Sequence, residues 1–241
     1  MRDISGIAVR EGSAGAAGAN VGGLADTPVP RLRGLLHAGA FPVAVAAGAV
    51  LVALAPTWPA RLAAAVYGVT SAVLFGVSAA YHRSPLGSRR RGWLGRLDHM
   101  NILLLIAGTY TPLMALALHG WTRLIVLTVV WAGAAGGIVT KLIWRSDWRP
   151  APRWVSTSLF IALGWVALFV LPELLRAVGV LVLALVLAGG IMYSLGAVVY
   201  ARKRPNPSPR WFGFHEVFHA ATILAYLTQY AAVSLVVYRV G

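Results

Sequence analysis

Seven runs of apolar residues, each close to the ~20 residues that an α-helix needs to cross a bilayer, limit what this chain can fold into. Their approximate limits are 36–57, 61–82, 97–118, 122–143, 154–171, 176–200 and 212–238. What lies between them cannot clothe a water-facing surface: 12% of the residues are charged and 59% hydrophobic, whereas soluble domains carry about 25% charged residues. The expected fold is therefore an all-α membrane protein, a seven-transmembrane helix bundle. Interior glycines, as in Trp131-Ala132-Gly133-Ala134-Ala135-Gly136-Gly137, suit close helix contacts in lipid.

The basic residues give the bundle a direction. Seventeen of the 21 Lys and Arg residues fall in four clusters: Arg2 to Arg33 before the first run, Arg83 to Arg96 after the second, Lys141 to Arg153 after the fourth, and Arg202 to Arg210 after the sixth. The four others, Arg61, Arg123, Arg176 and Arg239, belong to the opposite side. Because positive residues favour the cytoplasm, the N terminus is expected in the cytoplasm and the C terminus outside, in a multi-pass protein of the cell membrane. A six- or eight-run partition would break this alternation. Seven of the nine tryptophans (58, 93, 121, 144, 148, 154 and 211) sit at run ends, as in an interfacial belt.

The net charge of +14 could suggest nucleic acid. Its distribution in short clusters between apolar runs is instead that of membrane topology, and no nucleic-acid partner is expected. Residues 1–35, rich in Gly and Ala, read as a flexible cytoplasmic tail, leaving 36–241 as the membrane domain. Cysteine is absent, so any metal must take imidazole, carboxylate or water ligands.

Placed on this topology, four ionisable groups from three helices share one depth. His82 ends the second run, Asp98 opens the third, and His215 and His219 open the seventh. His215 and His219, four apart, lie one turn from each other on one helix face. Ionisable groups in a span are costly and face the bundle interior. Three imidazoles around one Zn²⁺, with a fourth position left for water, is the arrangement of a catalytic site. A nearby carboxylate, Asp98, can orient that water or take its proton. Ser78, one turn from His82, can hold a carbonyl or the water. The other histidines have plainer readings: His37 and His119 at the membrane interface, and His99, turned about 100° from Asp98, against another helix or the interface.

His215-Glu216-Val217-Phe218-His219 also fits the H-E-x-x-H pattern of metalloproteases. It lies in the final run, however, with no later ligand, and the sequence's Leu97-Asp98 is followed by His99 rather than Gly. Glu216 is accordingly expected to bond a neighbouring helix or a loop arginine rather than to act as a base.

Three segments carry a family resemblance: Ser78-Ala79-Ala80-Tyr81-His82; Arg96-Leu97-Asp98-His99 running into Ile106-Ala107-Gly108-Thr109-Tyr110-Thr111-Pro112; and His215 to His219. In this order they resemble hemolysin III proteins, bacterial relatives of the progestin and adiponectin receptors, over about residues 36–238. The resemblance implies seven helices with the N terminus inside. It also implies a zinc held by His82, His215 and His219 near the cytoplasmic face, with Asp98 on its water and Ser78 in the family's serine position.

Two functions follow as expectations. One is zinc-dependent hydrolysis of a lipid amide or ester, ceramidase-like by the resemblance, with a membrane lipid as substrate. The other is a non-enzymatic membrane-homeostasis or sensor protein in which zinc is structural. A pore is disfavoured, since the ionisable residues gather near one face instead of across the whole depth.

Overall fold

The computed structural model describes residues 30–83, 85, 87–143 and 153–239. The apolar runs become helices: α1 (Leu35–Leu54), α2 (Trp58–Arg83), α3 (Ser88–Ala117), α4 (Gly120–Ile143), α5 (Arg153–Gly164), α6 (Leu171–Arg202) and α7 (Phe214–Arg239), with a five-residue 3-10 helix, Val166–Val170, between α5 and α6. Among the described residues the β-type pairing is confined to an isolated bridge between Ser208 and Phe212. The described residues form an all-helical fold, and six of their stretches are long and apolar enough to cross a membrane.

The seven expected runs become six because the fifth and sixth are continuous in this respect. Trp154–Arg202 forms a single apolar stretch of 49 residues. The sequence reading stops the fifth run at Leu171-Pro172. In the structure Pro172 lies in the first turn of α6, where its missing N–H has no helical acceptor to lose. The interruption falls earlier, at Gly164 to Val170, and a second one falls at Gly179, whose φ of 79° and ψ of 171° are not helical.

An interrupted helix in lipid must still satisfy its backbone, and here a side chain does so. The Tyr110 hydroxyl of α3 donates to the Gly164 carbonyl at 2.8 Å and accepts from the Ala167 N–H at 2.8 Å. Within the break, Trp165 Nε1 donates to Ser194 Oγ at 2.9 Å, tying the end of α5 to α6.

α3 is the central helix. Some 61% of its most apolar window is buried, against 22% for α1 and for α4, and it touches α2, α4, α5, α6 and α7. α7 packs on α1, α2, α3 and α6. Around the outside, Val43, Leu62, Val69, Ile125 and Val180 stay exposed, as suits a surface facing acyl chains rather than water. Trp58, Trp93, Trp121, Trp154 and Trp211, near helix ends, are exposed as well. Trp144 and Trp148 lie outside the described residues.

Of the expected tail, residues 1–29 also lie outside the described residues. Residues 31–34 form turns leading into α1, and their backbone is docked: Arg31 N–H donates to the Arg210 carbonyl at 3.0 Å and Leu32 N–H to that of Trp211 at 3.2 Å. This end of the bundle thus gathers the start of α1, the end of α2, the start of α3 and the start of α7.

α1 and α2 cross at Gly48 and Gly68, close enough that a Cβ on Gly48 would lie 3.0 Å from the Gly68 Cα. Backbone cannot yield there as a side chain can. Gly48→Leu is therefore expected to destabilise the bundle by about 1–3 kcal/mol, the usual cost of overpacking. Gly39→Ala, on the same helix with no atom within 4 Å of the added carbon, should leave thermal unfolding in detergent unchanged or slightly raised.

Candidate metal centre

α7 supplies two imidazoles because His215 and His219 are one helical turn apart. Its first turn is held firmly. Asn206 Oδ1 accepts from Phe214 N–H at 3.0 Å, and Glu216 Oε2 reaches back to the Gly213 N–H at 2.8 Å, the return half of a capping box. α2 supplies His82 from its last turn. One ring nitrogen from each of His82, His215 and His219 lies within 4.8 Å of the other two, and Nε2 of His82 is 3.1 Å from Nε2 of His215. Asp98, from α3, places Oδ2 3.8 Å from His82 Nε2. The four groups picked from the sequence at matched depth are thus brought together from three helices.

Two features bear on whether these residues fit a metal ion. Zinc–nitrogen bonds of about 2.0–2.1 Å at tetrahedral angles separate ligand nitrogens by ~3.3 Å, close to the His82–His215 spacing. His219 Nδ1 is buried and meets no hydrogen-bond partner among the described residues, an expensive state for a polar atom in a protein interior. An all-imidazole donor set with a carboxylate beside it fits a divalent ion of the zinc type.

Ser78 is fully buried one turn before His82. It bonds His37 Nδ1 at 2.8 Å through Oγ. His37 differs from the interfacial role read from the sequence. It is only 3% exposed and stacks on His219, with ring centroids 3.7 Å apart and planes 9° from parallel. Sequence reasoning had a signal for it: an imidazole near the start of the first run enters at the end of the bundle where the second run finishes, the depth of His82. His119 is exposed at the opposite end. His99 turns to α6, donating from Nδ1 to the Gly95 carbonyl at 2.8 Å and accepting from the Tyr200 hydroxyl at Nε2, 2.9 Å away.

Glu216, the middle of H-E-x-x-H, is wholly buried, and its carboxylate is already engaged. Besides Gly213 it meets Arg33 Nε at 2.6 Å, a contact between the segment before α1 and the helix carrying two of the imidazoles. Gly34 follows, with φ of 75°, so close to α2 that a Cβ there would approach His82 Cβ to 2.5 Å. Residues 33 and 34 therefore brace both histidine-bearing elements at once.

The cluster forms one end of an elongated, mainly apolar cavity of about 110 Å³. His37, Ser78, Asp98, His215 and His219 line that end, and the walls continue past Ile106 and Phe160 to Tyr110, Trp165 and Gln229. Along α7, from His215 to Gln229, this corresponds to about 20 Å.

Comparison with known proteins gives the family. The family described as Haemolysin-III related matches residues 27–230. The chain belongs to the haemolysin-III-related family. It is similar to Hemolysin-3 of Bacillus cereus, 35% identical over 144 residues covering 60% of this chain and 64% of that protein. It is also similar to a Hemolysin-3 homolog of Bacillus subtilis (strain 168), 31% identical over 152 residues covering 62% and 68% respectively. The chain thus spans just under two thirds of the length of the B. cereus relative it matches. With its span-capable helices, this member of the haemolysin-III-related family is a multi-pass membrane protein.

Removing one partner of a buried ion pair costs about 3–5 kcal/mol. Arg33→Ala, which leaves the buried Glu216 carboxylate with the Gly213 N–H alone, should lower stability by about 3 kcal/mol. Arg31→Ala removes an exposed guanidinium stacked 4.6 Å over Trp211 and should cost less than about 1 kcal/mol. Thermal unfolding of both variants in detergent makes the comparison.

Proposed function

We propose that this haemolysin-III-related protein binds zinc through His82, His215 and His219 and hydrolyses a lipid amide or ester at the cytoplasmic side of the plasma membrane. The observation that carries this reading is the union of two features. A metal-capable polar cluster lies at one end of a cavity whose remaining walls are mainly apolar and follow α7 for about 20 Å, a shape that suits the carbonyl end of an acyl chain. A lipid whose tail occupies the cavity presents its linkage carbonyl to the cluster.

Zinc, when bound, supplies Lewis acidity toward a carbonyl and makes a water easier to deprotonate. The chain's own residues do the rest. Asp98, 3.8 Å from His82 Nε2 through Oδ2, holds a water by hydrogen bond and accepts its proton at a carboxylate oxygen. Ser78 Oγ, directed by His37, is placed to bond the substrate carbonyl or that water. The apolar walls keep bulk water from the tail, and Tyr110, near the far end of the cavity, is already committed to Gly164 and Ala167.

Seven crossings with the N terminus inside complete the proposal. Trp154–Arg202 is too long for one crossing: at 1.5 Å per residue its 49 residues would extend ~74 Å, against a hydrocarbon core of about 30 Å. A reversal at Gly179 explains how Trp165 reaches Ser194, since the two are nearly equidistant in sequence from it. Arg239 at the C-terminal end of α7 donates to the Val178 carbonyl at 2.8 Å, which supports putting that reversal at the end opposite the histidines. The segregation of Lys and Arg supports putting the histidine end in the cytoplasm.

The second reading, a homeostasis factor with structural zinc, draws on another observation: α2 and α7 otherwise make sparse contact, so a shared ion would be their principal tie. The two readings part at Asp98→Asn. A hydrolase keeps its zinc and its melting temperature but leaves membrane lipids unprocessed, as read by lipidomics of cells with and without the protein. A structural-zinc protein keeps its function. His82→Ala should abolish stoichiometric zinc in the purified protein under either reading.

Zinc competes with protons for imidazole nitrogens. Its affinity is therefore expected to be fully developed at neutral pH and to fall as the medium is acidified through the histidine range, measured by competition with a chelator whose own pH dependence is known. Affinity constant down to pH 5 would exclude histidine ligands.

A further inference from the structure

A metal-bound imidazole usually has its free ring nitrogen tied to a carboxylate, a backbone carbonyl or water, which fixes the ring plane. No hydrogen bond at Nδ1 fixes the His219 ring, since that atom is buried and without a hydrogen-bond partner among the described residues. Its ring is nonetheless confined, because His37 lies flat against it, centroids 3.7 Å apart and planes 9° from parallel. His37 is itself held at two points. Its Nδ1 is bonded to Ser78 Oγ at 2.8 Å, and the Phe75 ring meets it edge-on, at 5.1 Å and 80°. A contact of faces this close restricts rotation of the His219 ring as an outer hydrogen bond would.

We propose that His37 is a positioning residue of the metal centre, one that sets the plane of the His219 ring by stacking rather than by hydrogen bonding. This rests on the reading of His82, His215 and His219 as metal ligands and adds a residue of α1 to a centre otherwise built from α2, α3 and α7. Ser78 thereby acquires a second task, keying the ring that keys the ligand.

Three substitutions separate stacking from hydrogen bonding. His37→Phe keeps a flat ring against His219 and loses the bond to Ser78. His37→Asn keeps a donor for Ser78 and loses the ring. His37→Leu loses both while filling similar volume, and serves as the ring-less comparison if the Asn variant does not fold. The probe is cobalt(II), added to the full-length protein in detergent and competed with a chelator, with the visible d–d bands reporting ligand geometry. Melting temperatures without metal check the fold.

His37→Phe is expected to bind cobalt nearly as tightly as the wild type with unaltered bands. His37→Asn and His37→Leu should bind about 10–100-fold more weakly, the effect of losing an outer-shell contact, and shift the bands. Wild-type protein that takes up no cobalt would remove the metal centre and this inference with it. Tight wild-type binding matched by the folded ring-less variants would overturn the role of His37 alone. A folded Phe variant as weak as Asn or Leu would overturn stacking as the device.

Discussion

No water is available in the hydrocarbon core to satisfy a polar group left over by the fold, and the arrangement of this protein follows from that constraint. Where the helices are regular, the backbone satisfies itself. Where they are not, a side chain is recruited: the single hydroxyl of Tyr110 accepts from one backbone group and donates to another at the break after α5. The same demand explains why α3 is central. It carries the residues that mend a neighbour at one level and the carboxylate that joins the histidines at another.

Polar chemistry is correspondingly concentrated at one end of the bundle, where charge can be neutralised by charge. Glu216 can be wholly buried because Arg33 and the Gly213 N–H meet its two oxygens. That pairing fastens the chain just before α1 onto the first turn of α7, while Gly34 lets the same segment lie against His82. The segment before the first apolar run is thus part of the architecture of the site. The buried carboxylate of a protease-like motif serves as an anchor rather than a base, because both of its oxygens are taken.

The cavity links this end to the middle of the bundle. Its polar cap and apolar walls are separate consequences of the helix faces that α3, α5, α6 and α7 turn inward, and their meeting gives the site its proposed lipid chemistry. His37 belongs to this cap by packing, although its neighbours in sequence are apolar.

Length and hydropathy of the runs were enough to determine helices, a membrane setting and most boundaries, since a helix crossing lipid depends on local composition. The four-residue spacing of His215 and His219 determined that they share a face, because helical geometry is local too. The meeting of His82 and Asp98 with that pair could be expected from matched depth, and the distances and ring orientations that make a cluster came only from the packing of α2, α3 and α7. Three things were decided by the tertiary structure. His37 moved from an interfacial reading to a stack on His219, since the direction a helix face points depends on its neighbours. Glu216 found Arg33 from a segment that composition marked as tail. The interruption between α5 and α6 was shifted from Leu171-Pro172 to Gly164–Val170, because a helix tolerates proline in its first turn and because Tyr110, 54 residues away from Gly164 in sequence, was there to satisfy the exposed backbone. Local pattern specifies elements and faces; which faces meet is set by long-range contacts that no window of sequence contains.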